Sequence, residues 1–145
     1  MNKGTFLLSL LCLLLLQLPA QENWITNFDE AIELAQEKEQ RIILSFQGSD
    51  WCAPCIILEK EIWNSEEFKA FANDNVVLLK ADFPKRKANR LDPDQQKHND
   101  MLAEKYNPQG FFPLVVVLDE NGKALGKLGY ERVTPMEYIE KIKAF

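Results

Sequence analysis

Cys52 and Cys55 stand two residues apart in Trp51-Cys52-Ala53-Pro54-Cys55, a spacing that lets two sulfurs close and reopen a short disulfide without unfolding anything around them. The pair follows an apolar, strand-like run and precedes a helix-like one, so it is expected at the first turn of a helix. Unpaired N–H groups and a partial positive charge gather there, and both favour a thiolate over a thiol. Cys52, at the helix mouth and expected to be the more exposed, is the candidate nucleophile, with its pKa lowered. Cys55, one turn in, is the candidate resolving thiol. Attack by Cys52 on a partner disulfide gives a mixed disulfide, and attack by Cys55 then releases the reduced partner and leaves Cys52 and Cys55 joined. Pro54 costs little so early in a helix and stiffens the turn between the sulfurs.

Other uses of the pair fit less well. A zinc site needs about four ligands, and the sequence offers only Cys12 and the single histidine, His98, besides the pair. A structural staple is disfavoured because cross-linking stabilises more as the closed loop lengthens, and this loop is minimal. The sequence therefore predicts no metal and no cofactor beyond a redox-active Cys52/Cys55 disulfide.

Residues 1–20 read as a signal peptide: Lys3 is the lone positive charge, Phe6 to Leu18 is almost wholly apolar, and Leu18-Pro19-Ala20 ends on a small residue suited to cleavage before Gln21. The run is short for a membrane span, so an uncleaved anchor is the weaker reading. Cleavage would leave Cys52 and Cys55 as the only cysteines of an exported protein, periplasmic or secreted. Residues 21–145 suit one domain with a real core. A net charge of −5 argues against nucleic acid as a partner. Lys85-Arg86-Lys87 with Arg90 is a short basic cluster, read as a solvated loop.

Helical spacing of Phe28, Ala31, Ile32 and Ala35 behind the capping candidates Thr26 and Asn27 predicts a first helix through about Lys38. Arg41 to Gln47 and Val76 to Asp82 read as buried strands. A helix from Ala53 is expected to pause near Asn64-Ser65 and resume with Ser65 as its cap. Pro84 to Asn99 is polar, with a helix starting near Pro93 or Asp94 and reaching Tyr106. Pro113 to Leu118 and Lys123 to Tyr130 flank Asn121-Gly122, a hairpin signal, and Thr134-Pro135-Met136-Glu137 opens a last helix. The order implies an α/β domain, a mixed central sheet with helices on both faces.

This layout resembles the thioredoxin fold across nearly all of the chain after residue 20, on the strength of Trp51-Cys52-Ala53-Pro54-Cys55, Phe112-Pro113 at the start of a strand, and the late hairpin with its glycines. Phe46 to Cys52 followed by Leu58-Glu59-Lys60 is similar, more narrowly, to exported thioredoxin-like proteins and to the C-terminal domain of the periplasmic electron-transfer protein DsbD. The resemblance implies that Pro113 is a cis proline facing the cysteines, that Phe112 to Leu114 is an edge pairing with an extended partner peptide, and that Trp51 lines the docking surface. It also matches Lys80 to a lysine placed near a buried acid, where it would tune charge; with that acid in doubt, an ordinary lysine near a strand end is the favoured reading. The acid itself departs from the pattern: the nearest position to the usual aspartate is Ser45, which leaves the proton of Cys55 to another acid, Asp50 or Glu59, or to water. The enlarged connection from Pro84 to Met101 reads either as a determinant of partner choice or as a surface loop.

Trp24, Trp63, Tyr106 and Met101 are read as packing residues, and His98 as solvated. The leading function is a monomeric extracytoplasmic thiol–disulfide oxidoreductase that reduces or exchanges disulfides of partner proteins and draws electrons from a membrane thiol donor. Ala53-Pro54 is similar to the proline-containing pairs of reducing members. The alternatives are a disulfide oxidase or isomerase, and a peptide-binding module in which the cysteines are incidental.

Overall fold

The computed structural model describes residues 24–145. The expected signal peptide, with Cys12, lies outside the described residues. The order is α1 (Phe28–Lys38), β1 (Arg41–Gln47), α2 (Ala53–Leu58), a π-helical turn (Glu59–Trp63), α3 (Glu66–Asn75), β2 (Val76–Asp82), a 3₁₀ turn (Lys87–Asn89), α4 (Pro93–Tyr106), β3 (Leu114–Leu118), β4 (Ala124–Leu128) and α5 (Pro135–Lys143). The four strands lie in the order β2-β1-β3-β4, with β1 parallel to β2 and antiparallel to β3, and β3 antiparallel to β4. Ile25 bridges Leu79 beyond the β2 edge, its N–H donating to the Leu78 carbonyl and its own carbonyl accepting from Lys80 N–H.

Strand residues alternate between two cores, as a pleated backbone buried on both faces requires. Ile42, Leu44, Phe46, Val77, Leu79, Val116 and Leu118 pack against α1 and α4 through Ala31, Ala35, Leu102 and Tyr106. Ile43, Val76, Leu78, Val115 and Val117 pack on the other face against Leu58, Ile62 and Trp63, with Phe68 and Ala72 of α3 and Tyr138, Ile139 and Ile142 of α5. Trp63 centres that second core, its ring edge-on to Trp24 and Tyr138 and 4.5 Å from Phe68. Burying one such large side chain contributes about 3 kcal/mol.

The helix ends follow local chemistry. Asn27, Ser65, Asp92 and Thr134 each accept a backbone N–H at the start of α1, α3, α4 and α5, and Thr134 with Glu137 closes a reciprocal capping box. In the β3–β4 turn Gly122 takes φ +80°, and Asp119 Oδ1 accepts from both Asn121 N and Lys123 N at 2.9 Å. The last two strands are shorter than the sequence suggested. Pro113 has no N–H to give a ladder, and beyond Leu128 the Gly129 carbonyl leaves the sheet to accept from the Tyr138 hydroxyl at 2.9 Å.

Two assignments are corrected. Met101 is 57% exposed, because α4 turns Leu102 and Tyr106 to the core and leaves Met101 outside it. His98 is half-buried rather than solvated: its Nε2 accepts the Phe28 N–H at 3.0 Å, which joins α4 to the start of α1.

Candidate functional site

Cys52 is the N-cap of α2 and Pro54 lies in its first turn, so the sequence Cys-Ala-Pro-Cys winds the helix start around the two sulfurs. They are joined, with an S–S distance of 2.06 Å and Cα atoms 5.2 Å apart. The backbone N–H of Cys55 points at Cys52 Sγ from 3.3 Å, doing for sulfur what a hydroxyl cap does elsewhere. The expected difference in exposure is absent in this disulfide state: both cysteines are 4% exposed. What separates them is position, since Cys52 caps the helix and Cys55 lies inside its first turn.

Trp51, 38% exposed, stands beside the pair. Its Nε1 donates to the Phe83 carbonyl at 2.7 Å, its ring meets Phe112 edge-on at 5.4 Å, and Lys85 Nζ sits 3.8 Å from the ring centre. Gly48 leaves the space the indole needs, because a Cβ there would overlap it. Phe83 continues the aromatic set, 5.5 Å from Phe112 and stacked on Phe46 at 6.5 Å. The Phe112-Pro113 peptide is cis and Pro113 is buried. Leu114, the next residue, pairs with Phe46 at the end of β1 that leads into the cysteines. Trp51, Cys52, Cys55, Phe112 and Pro113 are thus held at one end of the sheet.

Behind the pair, Ser45 and Lys80 are register partners of β1 and β2, on the sheet face that Ile43 and Leu78 turn toward Leu58 and Ile62. Ser45 is 1% exposed, and its Oγ has no hydrogen-bond partner among the described residues. Lys80 reaches Glu59 Oε1 at 3.5 Å and lies 4.9 Å from the Trp24 ring centre. Glu59 opens the π-helical turn, whose signature is the Asn64 N–H reaching back to the Glu59 carbonyl at 2.9 Å. That turn buries both Ile62 and Trp63 while Glu59 still meets Lys80.

Asp50 does not face the sulfurs. Its carboxylate accepts the N–H groups of Lys85 and Arg86 at 2.9 Å each and Asn89 Nδ2 at 3.1 Å, and these bonds, the Lys85 N–H first, hold its pKa below the ordinary 3.8. Ser49 ties the same turn to Asp82 through both its N–H and its hydroxyl. The basic cluster is therefore clamped against the cysteine-bearing turn, which its composition alone did not reveal. Among the described residues no group of three or more His, Cys, Asp or Glu side chains could hold a metal ion, and no helix is long and apolar enough to cross a membrane.

Comparison with known proteins extends the geometry. The chain is 35% identical over 118 residues to a protein of Chlamydia pneumoniae named disulfide bond reductase DsbH, a match covering 81% of this chain and 69% of that one. A solved structure titled DsbH oxidoreductase superposes with a TM-score of 0.77 at 34% identity, over 83% of this chain and 81% of the other. The C-terminal domain of DsbD from Neisseria meningitidis, in its oxidised form, shares the fold, with a TM-score of 0.56 at 20% identity over 83% and 97% of the two chains. The thioredoxin-like family model matches residues 23–120. With its mixed sheet, its cysteine pair at the start of α2 and its cis proline before β3, the chain belongs to the thioredoxin-like family.

Proposed function

We propose that this protein is an extracytoplasmic thiol–disulfide oxidoreductase that reduces the disulfides of partner proteins through Cys52 and Cys55. The observation that carries the reading is the Cys52–Cys55 disulfide at the start of α2, with the Cys55 N–H directed at Cys52 Sγ. In the reduced protein that N–H and the helix terminus favour a Cys52 thiolate. The thiolate attacks one sulfur of the partner disulfide, forming a Cys52–partner bond as the partner's own S–S bond breaks. The other partner sulfur leaves in that step as a thiolate; Cys55, deprotonated, then attacks Cys52 Sγ and expels the partner sulfur bonded to it, and both partner thiolates take up protons. Two electrons and two protons have then passed to the partner, and the protein holds its disulfide.

Glu59, one helical turn beyond Cys55 and paired with Lys80, takes the proton of Cys55, while Ser45 stands where an acid would otherwise be. Trp51, Phe112 and Pro113 form the edge on which the partner segment lies. Reduction, rather than oxidation or isomerisation, is supported by the absence of histidine between the cysteines and by the named activity of the Chlamydia pneumoniae relative. Residues 1–20, read as an export signal, support action outside the cytosol. A reductase there needs a thiol donor to restore its dithiol, and a membrane protein is the natural source. The domain acts as a monomer.

Cys55→Ser should accumulate a mixed disulfide between Cys52 and a partner, sensitive to reductant, and Cys52→Ser should trap nothing. Loss of both cysteines should abolish turnover. A double variant that kept its partners and its effect on them would make the protein a binding module instead.

A further inference from the structure

Lys85, Arg86, Lys87 and Arg90 place four of the 17 basic side chains of an acidic protein within six residues. All four are exposed, and among the described residues none is within ion-pair distance of a carboxylate. The acids that border the loop are otherwise engaged. Asp50 receives the Lys85 and Arg86 backbone N–H groups, Asp82 receives Ser49 and the Phe83 N–H, and Asp92 caps α4 through Asp94 N and Gln95 N. Those bonds hold the loop's backbone in place; Lys85 Nζ lies over the Trp51 ring and the Arg86 guanidinium charge acts on Asp50, while Lys87 and Arg90 are exposed.

The place matters as much as the charge. Phe83 and Lys85 both touch Trp51, the residue before Cys52, and Asp50, one residue earlier, holds Lys85 and Arg86. A partner whose disulfide reaches Cys52 passes alongside this loop.

We propose that the Lys85–Arg90 loop is a docking surface for acidic residues flanking the target disulfide of a protein partner. The proposal rests on the exchange reaction described above, and it adds which partners are favoured. An acidic segment approaching a protein of net charge −5 is repelled over most of the surface and attracted at this loop, so it is oriented with its disulfide toward Cys52. Steering of this kind raises association rates about 10- to 1,000-fold and fades as salt shortens the reach of the field.

The test uses the pre-reduced protein and three disulfide peptides identical except for flanking aspartates, asparagines or lysines. The acidic peptide should be reduced at least about tenfold faster than the lysine peptide at about 20 mM salt, with the ratio falling toward one at about 0.5 M. In the triple variant Arg86→Gln/Lys87→Gln/Arg90→Gln the ratio should fall to within about twofold even at low salt, while the asparagine peptide reacts as before. Equal rates for the acidic and lysine peptides in the unaltered protein, or a preference that survives in the triple variant, would overturn the proposal and leave the exchange function intact. Failure to reduce even the asparagine peptide would overturn both. Equal peptide rates together with binding to phosphatidylglycerol vesicles that the triple variant loses would overturn it and assign the cations to a lipid surface.

Discussion

Replacing Ser45 with alanine should stabilise the protein. Ser45 is 1% exposed and no protein atom among the described residues bonds to its buried hydroxyl, although Lys80 is its register partner and Val115 lies opposite on β3. An unmet buried hydroxyl costs about 1–3 kcal/mol relative to water. Alanine keeps the Cβ and removes the polar atom, and the oxygen-sized void it leaves returns part of the gain. The net expectation is about 1 kcal/mol in favour of Ser45→Ala, or a rise in Tm of about 3–5 °C for a domain of this size. Urea unfolding, followed by far-ultraviolet circular dichroism on oxidised and reduced protein, reads it as a higher midpoint with an unchanged slope. The exchange rate should stay within about twofold, since a serine hydroxyl neither gains nor loses a proton near neutral pH. Destabilisation by about 1 kcal/mol or more (about fivefold in the folding equilibrium) would mean that a buried water bonds the hydroxyl in solution, and would overturn this expectation.

Gly48→Ala forces a Cβ into the Trp51 indole, so the ring must leave the Phe83 carbonyl and Lys85; reduction of protein disulfides should slow several-fold in stopped-flow assays while small disulfides react nearly as before. Glu59→Gln removes one partner of a partly buried pair, so stability should change by about 1 kcal/mol, whereas the mixed disulfide should live longer in single-turnover trapping because the proposed acceptor of the Cys55 proton is gone. Thr134→Ala breaks the capping box of α5 and should cost about 1 kcal/mol in urea unfolding. The Thr134 N–H and hydroxyl hold the Glu137 carboxyl below its ordinary 4.5. Alanine keeps the N–H bond, so only the hydroxyl's bond to the carboxylate distinguishes the two; it is full above about pH 4.5 and lost as pH falls through the lower folded-state value, so the stability gap between wild type and Thr134→Ala should narrow on acidification without closing, because the Glu137 N–H bond to the hydroxyl does not titrate.

Much of the fold was legible because its signals are local. Asn27, Ser65 and Thr134 announce helix starts within a few residues of the bonds they make, and Asn121-Gly122 announces a turn by backbone freedom alone. The cysteine pair was equally plain, since its spacing is its chemistry. What escaped depends on distant partners. The Lys85 ammonium meets Trp51 across 34 positions and Asp50 meets Arg86 across 36, so a cluster that read as solvated is fixed beside the redox centre. His98 accepts a bond from Phe28, 70 residues away. Met101 followed helical spacing but missed the core by one position, because α4 presents a narrow apolar stripe of Leu102 and Tyr106 on an otherwise polar helix. The π-helical turn at Glu59–Trp63, which buries both Ile62 and Trp63, had no sequence signature.

The most direct test of a reducing dithiol is the reduction potential of the Cys52/Cys55 pair, equilibrated against defined thiol buffers and read by alkylation and mass. A reducing pair should lie near about −270 mV, in the range of thioredoxin-like reductants; a value near about −120 to −180 mV would contradict the reductase role and reverse the direction of electron flow.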